Sequence, residues 1–161
     1  MALTYAEVPY TTLWDEEVFR GDLSKYDWLH LHHEDFTGQY GKFYRNYHTA
    51  SWYLEQKNQF ESLALKLGFS SVPEQKKALA QIIKDYVASG GFLFAMCSAS
   101  DSFDIALATS RVDAAHSVYD GTPVDPDIAN KLNFGATFAF NNFKLITDPM
   151  VYEYSDICLL Y

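Results

Sequence analysis

The chain has 161 residues, long enough for one domain with a real hydrophobic core. Hydrophobic residues make up 48% and charged residues 20%, the balance of a globular rather than a disordered chain. A net charge of −9 with no Lys/Arg cluster argues against a nucleic acid or an anionic membrane surface as partner, and no apolar run approaches the ~20 residues of a membrane span.

Two cysteines, Cys97 and Cys158, are too few for a disulfide framework. The N-terminus lacks the basic region and apolar core of a signal peptide, so the cytoplasm is the default expectation. Both ends read as cut. A strand-like TYAEV run starts at once, and Ile157–Tyr161 is apolar to the last residue. A fragment of this kind would carry a bare sheet edge open to association.

In chain order, Leu3–Val8 reads as a short strand ended by Pro9. Thr11 or Thr12 is placed to cap a helix whose first turn holds Asp15, Glu16 and Glu17, with Gly21 closing it. Asp22–Lys25 is a turn. Tyr26–His33 is a strand, with Leu29 and Leu31 on one face and His30 and His32 on the other. Tyr40, Phe43, Tyr44 and Tyr47 fall at helical spacing as an aromatic packing stripe. Ser51 can cap a longer helix burying Tyr53, Phe60, Leu63, Ala64 and Leu67, with Gly68 as its stop.

Ser71-Val72-Pro73-Glu74 is a helix start, with Ser71 as cap and Glu74 completing a capping box. Leu79, Ile82, Ile83, Tyr86 and Val87 form its buried face. Gly90-Gly91 ends it, and Phe92–Met96 is an unbroken apolar strand of the kind covered on both faces in a parallel sheet. A short helix is expected over Ser102–Ala108, with Arg111–Tyr119 ambiguous and Asp120–Asp127 a surface loop. Thr137–Ile146 alternates as a strand pair about Asn141-Asn142. The succession of helices and strands predicts an α/β fold with the two strongest strands parallel and central, in a single domain over residues 1–161.

Chemistry gathers at two strand ends. One carries His30, His32, His33, Glu34 and Asp35; the other carries Cys97, Ser98, Ser100 and Asp101. Neighbouring parallel strands would open both loops on one edge, about 5–10 Å apart. Cys97 on a strand-to-helix turn lies near helix N–H groups that stabilise a thiolate; the bland alternative is a small residue filling a tight turn. Three readings follow. Cys97 could attack a carbonyl, with His32, His33 or His116 as base and Glu34 orienting it. A cleft could bind a small polar ligand, a sugar or peptide, through Glu34, Asp35, Gln39 and Tyr40, with Ser98, Ser100 and Asp101 at the elbow. His32 or His33 with Glu34 or Asp35 could hold a divalent metal, although the spacing matches no fixed ligand motif, and neither metal nor cofactor is expected. His48 reads as packing.

The run GGFLFAMCSASD after a helix resembles the cysteine elbow of the class I glutamine amidotransferase-like superfamily. LTYAEVP, YDWLHLHHEDFTGQYGKFY and GGFLFAMCSASDSFDIALA are similar, over nearly the whole chain, to a Bacteroidota family labelled asparagine synthetase B. The resemblance implies a flavodoxin-like three-layer sandwich with a mainly parallel sheet, a further strand-rich portion ahead of LTYAEVP, and Cys97 at the elbow. Ala95 and Ala99 stand where the elbow pattern has glycine, and no histidine follows His116. What is implied is therefore a non-amidotransferase member that binds a small polar ligand, with a cysteine-dependent hydrolase as the alternative.

Overall fold

The computed structural model describes residues 5–157, which form a mixed α/β fold. The described elements begin with α1 (Asp15–Phe19), a 3-10 turn (Asp22–Lys25) and β1 (Trp28–Leu31). Then come α2 (Tyr44–Tyr47), α3 (Ser51–Lys66), α4 (Val72–Ala88), β2 (Phe92–Ala95) and α5 (Ser98–Ala108). Two short helices, α6 (Ser117–Asp120) and α7 (Ile128–Lys131), precede a C-terminal stretch of bends and turns. No described helix is long and apolar enough to cross a membrane.

β1 and β2 pair in parallel, in the register Trp28↔Phe92 to Leu31↔Ala95. The crossover between them carries α3 and α4, as parallel pairing requires. The expected parallel orientation, with both C-terminal ends on one edge, is therefore observed. The expected covering of both faces is not. Leu29, Leu31, Leu93 and Ala95 pack inward with Leu79 and Ile83 of α4 and Phe103 and Leu107 of α5. The opposite face leaves Trp28 58%, Phe92 58% and Phe94 44% exposed, and among the described residues the sheet has only these two strands. Four-residue strands flanked by single-face helices supply one apolar layer, and Trp28, Phe92 and Phe94 of the other face stay exposed.

α5 is the central helix. It starts directly after Cys97, four residues earlier than its apolar content suggests, because Ser98, Ser100 and Asp101 are good first-turn residues. Every residue from Asp101 to Thr109 is buried. α4 starts as its sequence dictates. Ser71 Oγ accepts the Glu74 N–H at 3.4 Å, and Pro73 sits in the first turn. The reciprocal bond is displaced by one residue: Glu74 Oε2 accepts from the N–H and hydroxyl of Ser70. Since the cap bond is long, Ser71→Ala is expected to cost about 0.5–1 kcal/mol in urea denaturation. An unchanged midpoint would refute the cap.

Gly90, with φ 104°, ends α4, and Gly91 lies against the Tyr86 ring where any side chain would collide.

Several expectations are corrected. Tyr5 is helical and Ala6–Glu7 a turn, so the described part of Leu3–Val8 is not a strand; Leu3 and Thr4 lie outside the described residues. α1 is capped at Trp14, whose N–H donates to Glu17 Oε2 at 3.0 Å, rather than at Thr11 or Thr12. The aromatic stripe is broken into a 3-10 turn (Tyr40–Lys42) and α2, because Gly41 takes φ 69°. Tyr40 is buried while Tyr47 is exposed. Ser51 is the first residue of α3, not its cap.

Thr137–Ile146 forms no strand pair. The N–H groups of Phe138, Ala139 and Phe140 donate to the buried Asp104 carboxylate instead, and only an isolated antiparallel bridge joins Leu145 to Ser155. Cys158 and Leu159–Tyr161 lie outside the described residues.

Candidate functional site

The loop after β1 is built around Asp35. Its Oδ1 accepts from Thr37 N–H at 2.7 Å and Thr37 Oγ1 at 2.6 Å; its Oδ2 accepts from Gln39 N–H at 3.0 Å and Gly41 N–H at 2.9 Å. A short carboxylate bonding its own following backbone is the physical basis of such a turn. The Tyr154 hydroxyl lies beside the same carboxylate, and burial first, then Asp35, raises it well above the ordinary tyrosine value. Gly38, at φ 73°, passes so close to Pro73 that a Cβ would lie 2.6 Å from the Pro73 nitrogen, so the loop is seated on the start of α4.

Ser102 ties this loop to α5. Its hydroxyl donates to the Glu34 carbonyl at 3.0 Å and accepts from Phe36 N–H at 3.3 Å. Thus the His33–Gly41 loop and the N-terminal turn of α5 share the C-terminal edge of the sheet.

Cys97 stands on that edge, exposed, between β2 and α5. Its backbone takes φ 56°, ψ −141°, a region a non-glycine residue enters only when its surroundings force it. Within the short link from β2 to α5, the strain falls on this one residue. Ala95 and Ala99 do not prevent this geometry. Ala99 is fully buried against the core, so its methyl is accommodated. The Cys97 thiol makes no hydrogen bond to a histidine among the described residues. The His32 and His33 rings touch with centroids 3.8 Å apart and planes tilted by 39°, and His30 Nε2 lies 3.4 Å from Met96 Sδ. Glu34 Oε2 accepts the His32 N–H at 2.6 Å.

His116 lies away from this edge in role: its Nδ1 accepts the Val118 N–H at 3.3 Å and caps α6. Ser100 Oγ donates to the Cys97 carbonyl at 2.7 Å, fixing the elbow, and Asp101 is buried with Oδ1 accepting the Ser102 N–H. Gln39 is buried, its Oε1 without a hydrogen-bond partner among the described residues.

Against the loop after β1 lies a cavity of about 430 Å³, and Gln39, Cys97, Ser98, Ser100 and Asp101 are not among the residues that line it. His33, Glu34, Asp35 and Tyr40 line it, as do Trp14, Phe43, Phe60 and Lys76. The sequence reading therefore placed four residues of one cavity together. It missed its aromatic wall and its cation. Lys76 Nζ pairs with Asp15 Oδ2 at 2.6 Å and sits 5.6 Å above the Phe60 ring, and Gln75 donates to the same Asp15 oxygen at 2.8 Å. Lys76 is four residues past Val72 on the face of α4 that meets the loop, a spacing that could have flagged it.

Lys42, fully buried, donates to the carbonyls of Ile146 and Asp148 at 2.8 and 2.9 Å, and burial lowers it to about 8. It pins the far end of the cavity loop to the C-terminal stretch. Among the described residues, no group of three or more His, Cys, Asp or Glu side chains is arranged to hold a metal ion. The Asp35 oxygens are taken by backbone donors. The chain matches no family model, no curated protein and no solved structure.

Proposed function

We propose that the chain is the elbow-bearing part of a flavodoxin-like, class I glutamine amidotransferase-like domain, and that it binds a small polar ligand, a sugar or peptide, beside the C-terminal end of β1. The observation that carries this reading is the 430 Å³ cavity lined by His33, Glu34 and Lys76 together with Trp14, Phe43 and Phe60. Flat aromatic surfaces with a few convergent polar groups suit a ligand having one apolar face and several hydroxyl or amide groups. The parallel β1–β2 pair with its helical crossover supports the fold assignment.

The test is an NMR titration of the chain with a panel of neutral monosaccharides and dipeptides. Shifts should centre on the His33–Gly41 loop and Trp14, and Phe60→Ala should weaken the best ligand about tenfold or more, roughly 1.4 kcal/mol. Equal binding by Phe60→Ala, or shifts confined elsewhere, would sink the cavity as the site.

A second reading is favoured by one observation, the strained and exposed Cys97 elbow. Here Cys97 Sγ attacks an ester or amide carbonyl. The S–C bond forms, the bond to the leaving group breaks, and a histidine moves the thiol proton to the leaving group. His32 or His33, after rotation, is the base, and Glu34 orients it. Water then hydrolyses the thioester. Trapping a covalent acyl adduct on Cys97 by mass spectrometry supports this version; an ester panel turned over equally by Cys97→Ser ends it.

A further inference from the structure

In a parallel pair, alternate residues of each strand direct their N–H and C=O at the neighbour. Phe92 N–H donates to the Asp27 carbonyl and Met96 N–H to the Leu31 carbonyl, so the odd-numbered residues of β1 face β2. The N–H and C=O of Trp28 and His30 therefore point the other way. Among the described residues no strand pairs with them. Such a row of unpaired groups is a template for an added strand.

A second observation lies beside it. A cavity of about 380 Å³ runs along this edge; it adjoins the ligand cavity and shares Thr12, Leu13, Trp14, Asp15, Glu34 and Lys76 with it, while Trp28 and His30 line this one alone. Its apolar floor is Leu29, Leu31, Leu79 and Ile83, and the 8–15 segment bounds it. The space thus offers backbone partners along one wall and an apolar bed for alternate side chains, the two requirements of strand addition.

Charge selects the occupant. The chain carries −9 overall. Within the cavity the Asp15 charge is paired with Lys76, while Glu34 is exposed and has no cationic partner among the ion pairs of the described residues. A second copy of this chain would bring another −9. We propose that the β1 edge is a docking site for an extended segment of a partner protein, alternating apolar and polar residues and basic at its ends. The segment hydrogen-bonds to Trp28 and His30 and sets its apolar side chains against Val8, Leu13 and Trp14 of the bounding segment. The two sites share a wall, but this inference does not need the ligand reading: the outward groups of Trp28 and His30 carry it, and neither residue lines the ligand cavity.

The experiment uses the 161-residue chain and the blocked peptide Lys-Lys-Val-Thr-Val-Thr-Val-Lys-Lys, followed by amide hydrogen exchange. Exchange at Trp28 and His30 is expected to slow about tenfold or more on saturation, and affinity to fall several-fold in high salt. The same peptide with its central valine replaced by proline should not bind, because the strand it must form is broken. His30→Pro removes the outward donor without touching a β1–β2 bond, and should abolish binding at unchanged circular dichroism. If that variant does not fold, the proline peptide carries the same test.

Binding without protection at these two amides overturns the proposal, as does equal affinity for a peptide flanked by glutamates. Protection that appears without peptide and grows with chain concentration also overturns it, since a second copy then occupies the edge.

Discussion

Asp104→Ala is expected to lower stability by about 2–4 kcal/mol, seen as a lower urea midpoint at unchanged slope. Asp104 lies in the middle of α5 and is almost fully buried. Its Oδ1 accepts from Phe138 N–H at 2.7 Å, and its Oδ2 from Ala139 and Phe140 N–H at 2.7 and 2.8 Å. Bonds to an ionised oxygen are roughly twice as strong as neutral ones. Three such bonds also replace the solvation that burial removes from the carboxylate. Alanine leaves three donors to find water, and each unmet donor costs about 1–3 kcal/mol when buried. The segment 138–140 is partly exposed, so water recovers some of this, and the losses do not add. Asp104→Asn keeps one acceptor oxygen and should lose less than Asp104→Ala. A loss below about 1 kcal/mol for alanine would mean that the carboxylate does not anchor this segment.

The same residue explains why part of the fold was illegible in the sequence. Thr137–Ile146 alternates like a strand, but its backbone donors are captured by a side chain over thirty positions earlier, and no local pattern reports that. The strands themselves were legible, β1 because Leu29 and Leu31 alternate with His30 and His32, and β2 because Phe92–Met96 is a continuous apolar run after Gly90-Gly91. Their exposed outer face was not, since an apolar run is the same whether or not a second layer covers it.

At the site, the loop residues His33, Glu34, Asp35 and Tyr40 were found from their position after a strand. Trp14, Phe60 and Lys76 come from three separate helix ends and faces, and only tertiary packing brings them to the cavity. Asp35, Gln39 and Asp101 look like ligand-binding residues by type, yet the fold uses Asp35 and Asp101 as backbone acceptors and buries Gln39.

Thermal stability is expected to rise with pH above neutrality and then collapse above about pH 10. Lys42 governs the rise. Burial lowers it to about 8 in the folded chain, against an unfolded value of 10.5. Between those values the unfolded chain holds a proton that the folded chain has released. Raising the pH through that window therefore favours folding, and the cost of a buried ammonium is fully present only below it. Burial shifts Lys77 in the same direction.

The tyrosines act oppositely. Burial first, then neighbouring carboxylates or tyrosines, raises Tyr40, Tyr119 and Tyr154, and Tyr53 rises to about 12. Their unfolded value is 10. Above it the unfolded chain gives up protons that the folded chain keeps, so this stabilisation is whole below pH 10 and lost as pH climbs through the folded values. The two trends cross between pH 8 and 10, where the melting temperature should peak.

Circular dichroism melts from about pH 6 to 11 measure this directly. Lys42→Met should flatten the rise. Tyr119→Phe should soften the collapse at little cost near neutrality, because the Tyr119 hydroxyl is buried without a hydrogen-bond partner among the described residues. A melting temperature that falls steadily from pH 7 to 9, or a rise that survives Lys42→Met, would show that the buried Lys42 ammonium does not control the alkaline limb.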